Sequence, residues 1–308
     1  MRKNIRMEEK MEFQLTIEQI EEWCRIPFDE LCKQEGLNAA VRLSDTKEQT
    51  MTDIGNLMAE EMIRYNKEGR ITRWILPAGP MEQYTTFIDR VNREKISLKN
   101  LYVFHMDEFL DWEGRPYPVE EKFCSLRGTM QGGFYDRIDP KLNVPVEQRI
   151  WPDIHDPDCF DRKVEEMGGI DTTWAGIGCK GLIAFCEAPH SRYHRITREQ
   201  FKNGKTRIRE INEDTIVALA QRTFGGFYDM VPPMAITVGM KSILTSKRIV
   251  FMITTGAWKN TVIRILLMCK EPVLEYPVTF LTQYIPEKIL CCDKASCDHP
   301  LSHKMKLW

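Results

Sequence analysis

The sequence predicts an α/β fold in three layers, doubly wound around a mostly parallel, Rossmann-like sheet. Two observations carry this expectation. Short, nearly continuous apolar runs alternate with helical patterns, and each run ends in a loop rich in glycine, proline or acid. A strand buried on both faces needs such a run, because each crossover helix covers one side of the sheet.

The elements follow in order. Ile17, Ile20, Trp23 and Cys24 have helical spacing, but residues 1–40 are charged and read as a helical arm appended to a domain spanning 41–308. Asp45, with Glu48 three residues later, can cap a helix. Met51, Ile54, Met58, Met62 and Tyr65 then form one apolar stripe that stops at Gly69. The run 71–76 is cut by Pro77-Ala78-Gly79-Pro80, and 81–91 again reads as helix. Leu101-Tyr102-Val103-Phe104 leads to His105-Met106-Asp107-Glu108, and 173–177 leads to Gly178-Cys179-Lys180-Gly181. Three further runs, 235–238, 249–254 and 288–292, complete the set of expected strands. Ligands in such folds sit beyond the strand carboxyl ends, so the loops starting at Pro77, His105, Gly178 and Gly256 are expected to share one crevice.

Composition narrows the partners. The 308 residues carry 43 Lys+Arg against 45 Asp+Glu, a formal net charge of −2, so no charge excess points to nucleic acid. The charged N-terminus lacks the apolar segment of a signal peptide, and no stretch approaches the roughly 18 apolar residues of a membrane span. Ten scattered cysteines without a secretory signal read as free thiols, which places the chain in a reducing cytoplasm. Cys291-Cys292 with Cys297-Asp298-His299 invites a zinc reading, but the group lacks a Cys-x-x-Cys hook, and no metal is expected.

Chemistry concentrates in few places. Asp107-Glu108 sits among apolar neighbours at a strand end, where burial raises a carboxylate toward the range of a general base; an N-cap pair opening a helix fits the same residues. Glu187 is a lone acid after Ile183-Ala184-Phe185-Cys186. Gly256-Ala257-Trp258-Lys259 opens a helix, so backbone N–H groups and a lysine can meet an anion there, or form an ordinary turn with a solvated lysine. Pro77-Ala78-Gly79-Pro80 matches neither the Walker loop nor the dinucleotide glycine pattern. The basic stretch 192–209 is either a solvated surface or a flap that supplies cations to a phosphorylated ligand. His190, just before it, and His194 within it read as surface residues.

Taken in order, Leu76-Pro77-Ala78-Gly79-Pro80-Met81, Met106-Asp107-Glu108-Phe109, Gly176-Ile177-Gly178 with Ile183-Ala184-Phe185-Cys186-Glu187-Ala188-Pro189, Ala235-Ile236-Thr237-Val238-Gly239 and Gly256-Ala257-Trp258-Lys259 resemble the glucosamine-6-phosphate deaminase/isomerase family. The likeness spans about residues 41–295. The 6-phosphogluconolactonases share that fold, and a lactonase-like hydrolase is a third reading.

The resemblance implies an enzyme that opens an amino-sugar phosphate ring, moves a proton from C2 to C1 and releases ammonia, with no metal or organic cofactor. It implies Asp107 as the base at C2 and Glu187 as support for ring opening. Gly79, Glu108, Lys180, Arg222 and Lys259 would contact substrate, Arg222 matching if one residue is inserted before it. Lys259 and the backbone at Gly79 would hold the phosphate. Arg207 and Arg209 resemble a basic segment that binds an allosteric amino-sugar phosphate in hexameric members, so a homo-oligomer is also implied.

This chain departs from the family at the ring-opening loop. Where Asn-Asp-Gly-His is expected stand Cys179-Lys180-Gly181-Leu182. Leucine carries no proton and lysine reverses the carboxylate's charge, so the relay is absent as written. The phosphate loop is also shortened to Gly79-Pro80. Both an enzyme with an altered ring-opening step and a catalytically silent sugar-phosphate sensor fit this pattern.

Overall fold

The computed structural model describes residues 14–121, 123–189 and 195–303. His190, His194 and the start of the basic stretch lie outside the described residues, as does the beginning of the N-terminal arm. Ten strands run in chain order: β1 Ala40–Ser44, β2 Thr72–Leu76, β3 Leu101–His105, β4 Asp107–Leu110, β5 Arg149–Ile150, β6 Thr172–Gly176, β7 Arg207–Glu210, β8 Met234–Thr237, β9 Arg248–Ile253 and β10 Glu287–Asp293. Seven of them form one sheet in the order β1-β10-β9-β6-β2-β3-β5, every pair parallel.

Alternation along each strand divides the core in two. Ile75, Phe104, Ala175, Phe251 and Leu290 pack on one face with the helices Asn260–Met268 and Val278–Tyr284. Their neighbours Trp74, Val103, Trp174, Val250 and Cys291 pack on the other with Lys47–Lys67 and Gln83–Glu94. Helices therefore cover both faces of a parallel sheet, the doubly wound arrangement that the apolar runs predict.

Several details differ from the sequence reading. The first long helix is capped one residue later than expected: the Thr46 hydroxyl accepts from the Gln49 N–H, and Gln49 answers to the Thr46 N–H. This capping box replaces the Asp45–Glu48 pair. Residues 235–238 were expected among the parallel strands, yet β8 lies in a second, antiparallel sheet of order β4-β8-β7. The segment 207–210, read as flap or solvated surface, is its edge strand. The arm's helix Ile17–Arg25 begins at a Thr16/Gln19 capping box, and Phe28 and Leu31 behind it join the main core.

Met106 joins the two sheets. Its N–H donates to the Leu76 carbonyl (3.1 Å) and its own carbonyl accepts from the Val238 N–H (2.7 Å). The chain leaves β3 at His105 and enters β4 at Asp107, so the acid stands at the seam. None of the helices among the described residues is long and apolar enough to cross a membrane.

Candidate functional site

In the parallel sheet β2 and β6 are neighbours, and the chain winds from them in opposite directions, β2 to β3 on one side and β6 to β9 on the other. A crevice opens at such a switch point because the two outgoing loops separate. A cavity of about 770 Å³ occupies it. Its walls come from Pro77–Pro80 after β2, Met106-Asp107 after β3, Gly176–Cys179 after β6 and Thr254-Thr255 after β9, with helix faces closing the remainder. The convergence expected of these loops is present, except that His105 is buried elsewhere, its Nε2 2.8 Å from the Tyr135 hydroxyl and its ring stacked on Trp151.

Asp107 lines the cavity and is 8% exposed. Burial, reinforced by the neighbouring Glu108 charge, pushes its carboxyl up to about 7. A group with that value changes charge near neutral pH, which is what a general base requires.

Lys259 stands on the same cavity at the end of the 3-10 turn Gly256–Lys259, and is 3% exposed. Burial, with the Arg222 charge nearby, brings its ammonium down to about 8. Its Nζ donates to the Ile177 carbonyl, so one of its protons is held and the others remain to meet a ligand. Arg222, the last residue of the helix Glu213–Arg222, and Gly79 also line the cavity. The Gly256 N–H, expected as an anion donor, is taken by Ser296 Oγ (2.9 Å).

Three residues expected at the site, Glu108, Glu187 and Lys180, lie off the cavity wall. Glu108 was expected beside the substrate. Its carboxylate instead accepts from the backbone N–H groups of Phe109 (3.0 Å), Leu126 (2.7 Å) and Arg127 (2.8 Å). It serves as the N-terminal acceptor of the helix Leu126–Gly133, satisfying orphan donors across the seam. The helix-capping reading of Asp107-Glu108 thus holds for Glu108, toward a helix distant in sequence.

Glu187 is 2% exposed and does not line the cavity. Its Oε2 accepts from the Asn212 N–H (3.0 Å) and pairs with Arg209 (3.1 Å), while burial still raises its carboxyl. Arg209 is therefore committed to Glu187, to Asn212 Oδ1 (3.0 Å) and to the Glu210 carbonyl (3.0 Å), and Arg207 to the Lys205 carbonyl (3.1 Å). Both arginines, implied at an allosteric site by the resemblance, lie on β7, outside the cavity wall. Lys180 sits beside the cavity loop without lining it, whereas Cys179 and Leu182 do line it.

Sequence reasoning missed the rest of the wall. Thr254 and Thr255 follow β9, and Thr129, Gly132 and Gly133 come from the helix that Glu108 caps. Their only signal was position after a strand or a capped turn.

No family model matches the chain. A glucosamine-6-phosphate deaminase of Caenorhabditis elegans is 35% identical over 184 residues, 58% of this chain and 62% of that one. A glucosamine-6-phosphate isomerase of Candida albicans is 29% identical over 226 residues, 72% of this chain and 84% of its own length. The chain thus spans less than two thirds of the worm relative. Among solved structures, a monomeric glucosamine-6-phosphate deaminase superposes with a TM-score of 0.67 at 23% identity, covering 83% of this chain and 98% of that one. A 6-phosphogluconolactonase of Thermotoga maritima gives 0.58 at 13% identity, covering 82% and 99%. These structural likenesses establish a shared fold.

Proposed function

As a divergent relative of the glucosamine-6-phosphate deaminases, this chain, we propose, binds an amino-sugar phosphate or a close analogue and moves a proton at its C2 carbon. One observation carries the reading: an acid that titrates near 7 and two cations share one cavity at the switch point of the sheet. Lys259 and Arg222 are the groups that meet the phosphate, and the shortened loop at Gly79 borders the same space.

Asp107 takes the C2 proton. With its value near 7, a large share is already ionised at neutral pH, and its burial keeps the carboxylate poorly solvated and basic. Abstraction from the open-chain aldehyde leaves an enolamine across C1 and C2, return of the proton to C1 leaves an iminium at C2, and a water molecule adds to that iminium and expels ammonia to give the ketose phosphate. Glu187 acts at one remove: it fixes Arg209 and the start of the helix that carries Thr215 and Arg222 to the cavity. It is a positioning residue.

A second reading rests on Leu182. It lines the cavity where the related enzymes carry a histidine for ring opening, and it can neither give nor take a proton. In that reading the chain binds sugar phosphate without turnover, as a sensor.

The test incubates the pure chain with glucosamine 6-phosphate and follows ammonia and ketose phosphate, alongside calorimetric binding. Turnover that Asp107→Asn abolishes supports the enzyme. Binding without turnover supports the sensor, and no binding of any sugar phosphate overturns both.

A further inference from the structure

The cavity is larger and less polar than a bare sugar phosphate calls for. Its volume of about 770 Å³ falls in the upper part of the roughly 300–1,000 Å³ that accommodates drug-sized ligands. Among the described lining residues the charged side chains are Asp107, Arg222 and Lys259, and the remaining side-chain polar groups are threonine hydroxyls, the Cys179 thiol and the Trp258 indole. No asparagine, glutamine, serine, tyrosine or histidine stands among them. A pyranose or an open hexose chain brings several hydroxyls, and each one that leaves water without a partner is unfavourable.

The walls suit a different kind of group. Phe109, Leu182, Phe185 and Phe224 line the cavity, and all but Leu182 are largely buried. Two aromatic side chains that also line it, Phe123 and Trp258, are 71% and 42% exposed, so the apolar surface continues outward to the mouth. Large exposed aromatics flanking a cavity are the kind of surface that a ligand covers. The Thr255 hydroxyl, also on the wall, is buried without a hydrogen-bond partner, a donor or acceptor that a ligand can satisfy.

We propose that the ligand is a phosphorylated sugar carrying an apolar substituent, an acyl chain or an aryl ring, whose phosphate meets Lys259 and Arg222 while the substituent covers the aromatic wall and mouth. This rests on the sugar-phosphate reading of the same cavity and names the class within it. Leu182 then has a role beyond a missing histidine: it supplies apolar wall against which the substituent packs.

Calorimetry tests the class with glucosamine 6-phosphate, its N-acetyl, N-butanoyl and N-hexanoyl derivatives, and its phenyl glycoside. Each methylene withdrawn from water is worth about fourfold in affinity, so at least one derivative is expected to bind about tenfold or more tighter than glucosamine 6-phosphate. That increment is expected to shrink severalfold in Trp258→Ser and in Phe123→Ser, whose exposed positions leave folding intact. Tight binding of a derivative with none of the parent also supports the proposal. Equal binding of parent and derivatives overturns the proposal and leaves the sugar-phosphate reading standing. Absence of binding by every compound overturns both.

Discussion

Glu187 and Arg209 pair at 3.1 Å behind the cavity, with the carboxylate side chain 2% exposed and the guanidinium 20%. Burial raises the Glu187 carboxyl even though Arg209 and the Asn212 N–H oppose the rise, so desolvation outweighs pairing here. Removing the cation leaves the acid buried with less to hold it. Arg209→Met is therefore expected to lower stability by about 1–3 kcal/mol, and Glu187→Gln by less, since the neutral amide keeps an acceptor for Asn212. Urea denaturation of both variants and of the double variant checks this; a double variant that loses the sum of the two single effects would sink the coupling.

Asp107 makes stability depend on pH in a defined direction. Its folded-state value of about 7 lies above the ordinary 3.8, so between these the folded chain keeps a proton that the unfolded chain has lost. Stability is full below about 4 and falls as pH rises through 7. Asp107→Asn removes that fall. Comparing urea midpoints at pH 5 and pH 8, the wild type is expected to lose about 1–4 kcal/mol relative to the variant. A parallel pH dependence in the two proteins would refute the buried acid.

The same acid and Lys259 set the expected pH profile of kcat/KM if the chain turns over. Activity rises as Asp107 ionises near 7 and falls as Lys259 loses its charge near 8, giving a narrow bell. Asp107→Asn is expected to reduce kcat by about 10²–10⁴. Lys259→Met is expected to raise KM at least tenfold and to remove the alkaline limb. An alkaline limb that survives in Lys259→Met would assign it to another group.

The parallel sheet was legible because its physical cause is local: strands covered on both faces must be apolar throughout, and Trp74, Phe104, Trp174 and Phe251 announce them. The meeting of loops was legible from the same pattern, since a parallel sheet places every strand's carboxyl end on one side. The second sheet was not. In β7 the sequence Arg-Ile-Arg-Glu presents mostly charge, and its pairing with β8 is a long-range event without a local signal. Glu108 illustrates the same limit, because two of its three donors lie 18 and 19 residues away. Asp107 and Lys259 stood out by their places after apolar runs, the resemblance added their roles, and the cavity holds both on its wall.

Glu108 yields the last prediction. Its two oxygens hold three backbone N–H groups that link β4 to the helix Leu126–Gly133, and the helix in turn supplies Thr129, Gly132 and Gly133 to the cavity. Burial raises its carboxyl, against the pull of those three donors. Glu108→Ala leaves the buried Phe109 donor and the part-buried Leu126 and Arg127 donors without their acceptor, and a buried donor is worth roughly 1–3 kcal/mol, so a loss of about 2–3 kcal/mol is expected. Glu108→Gln keeps one acceptor oxygen and is expected to lose about half as much. Hydrogen exchange separates a local effect from a general one: protection should fall first at the Leu126 and Arg127 amides while the β9 and β10 amides stay protected. Equal loss of protection in the parallel sheet would mean that Glu108 stabilises the whole chain rather than the wall beside Asp107.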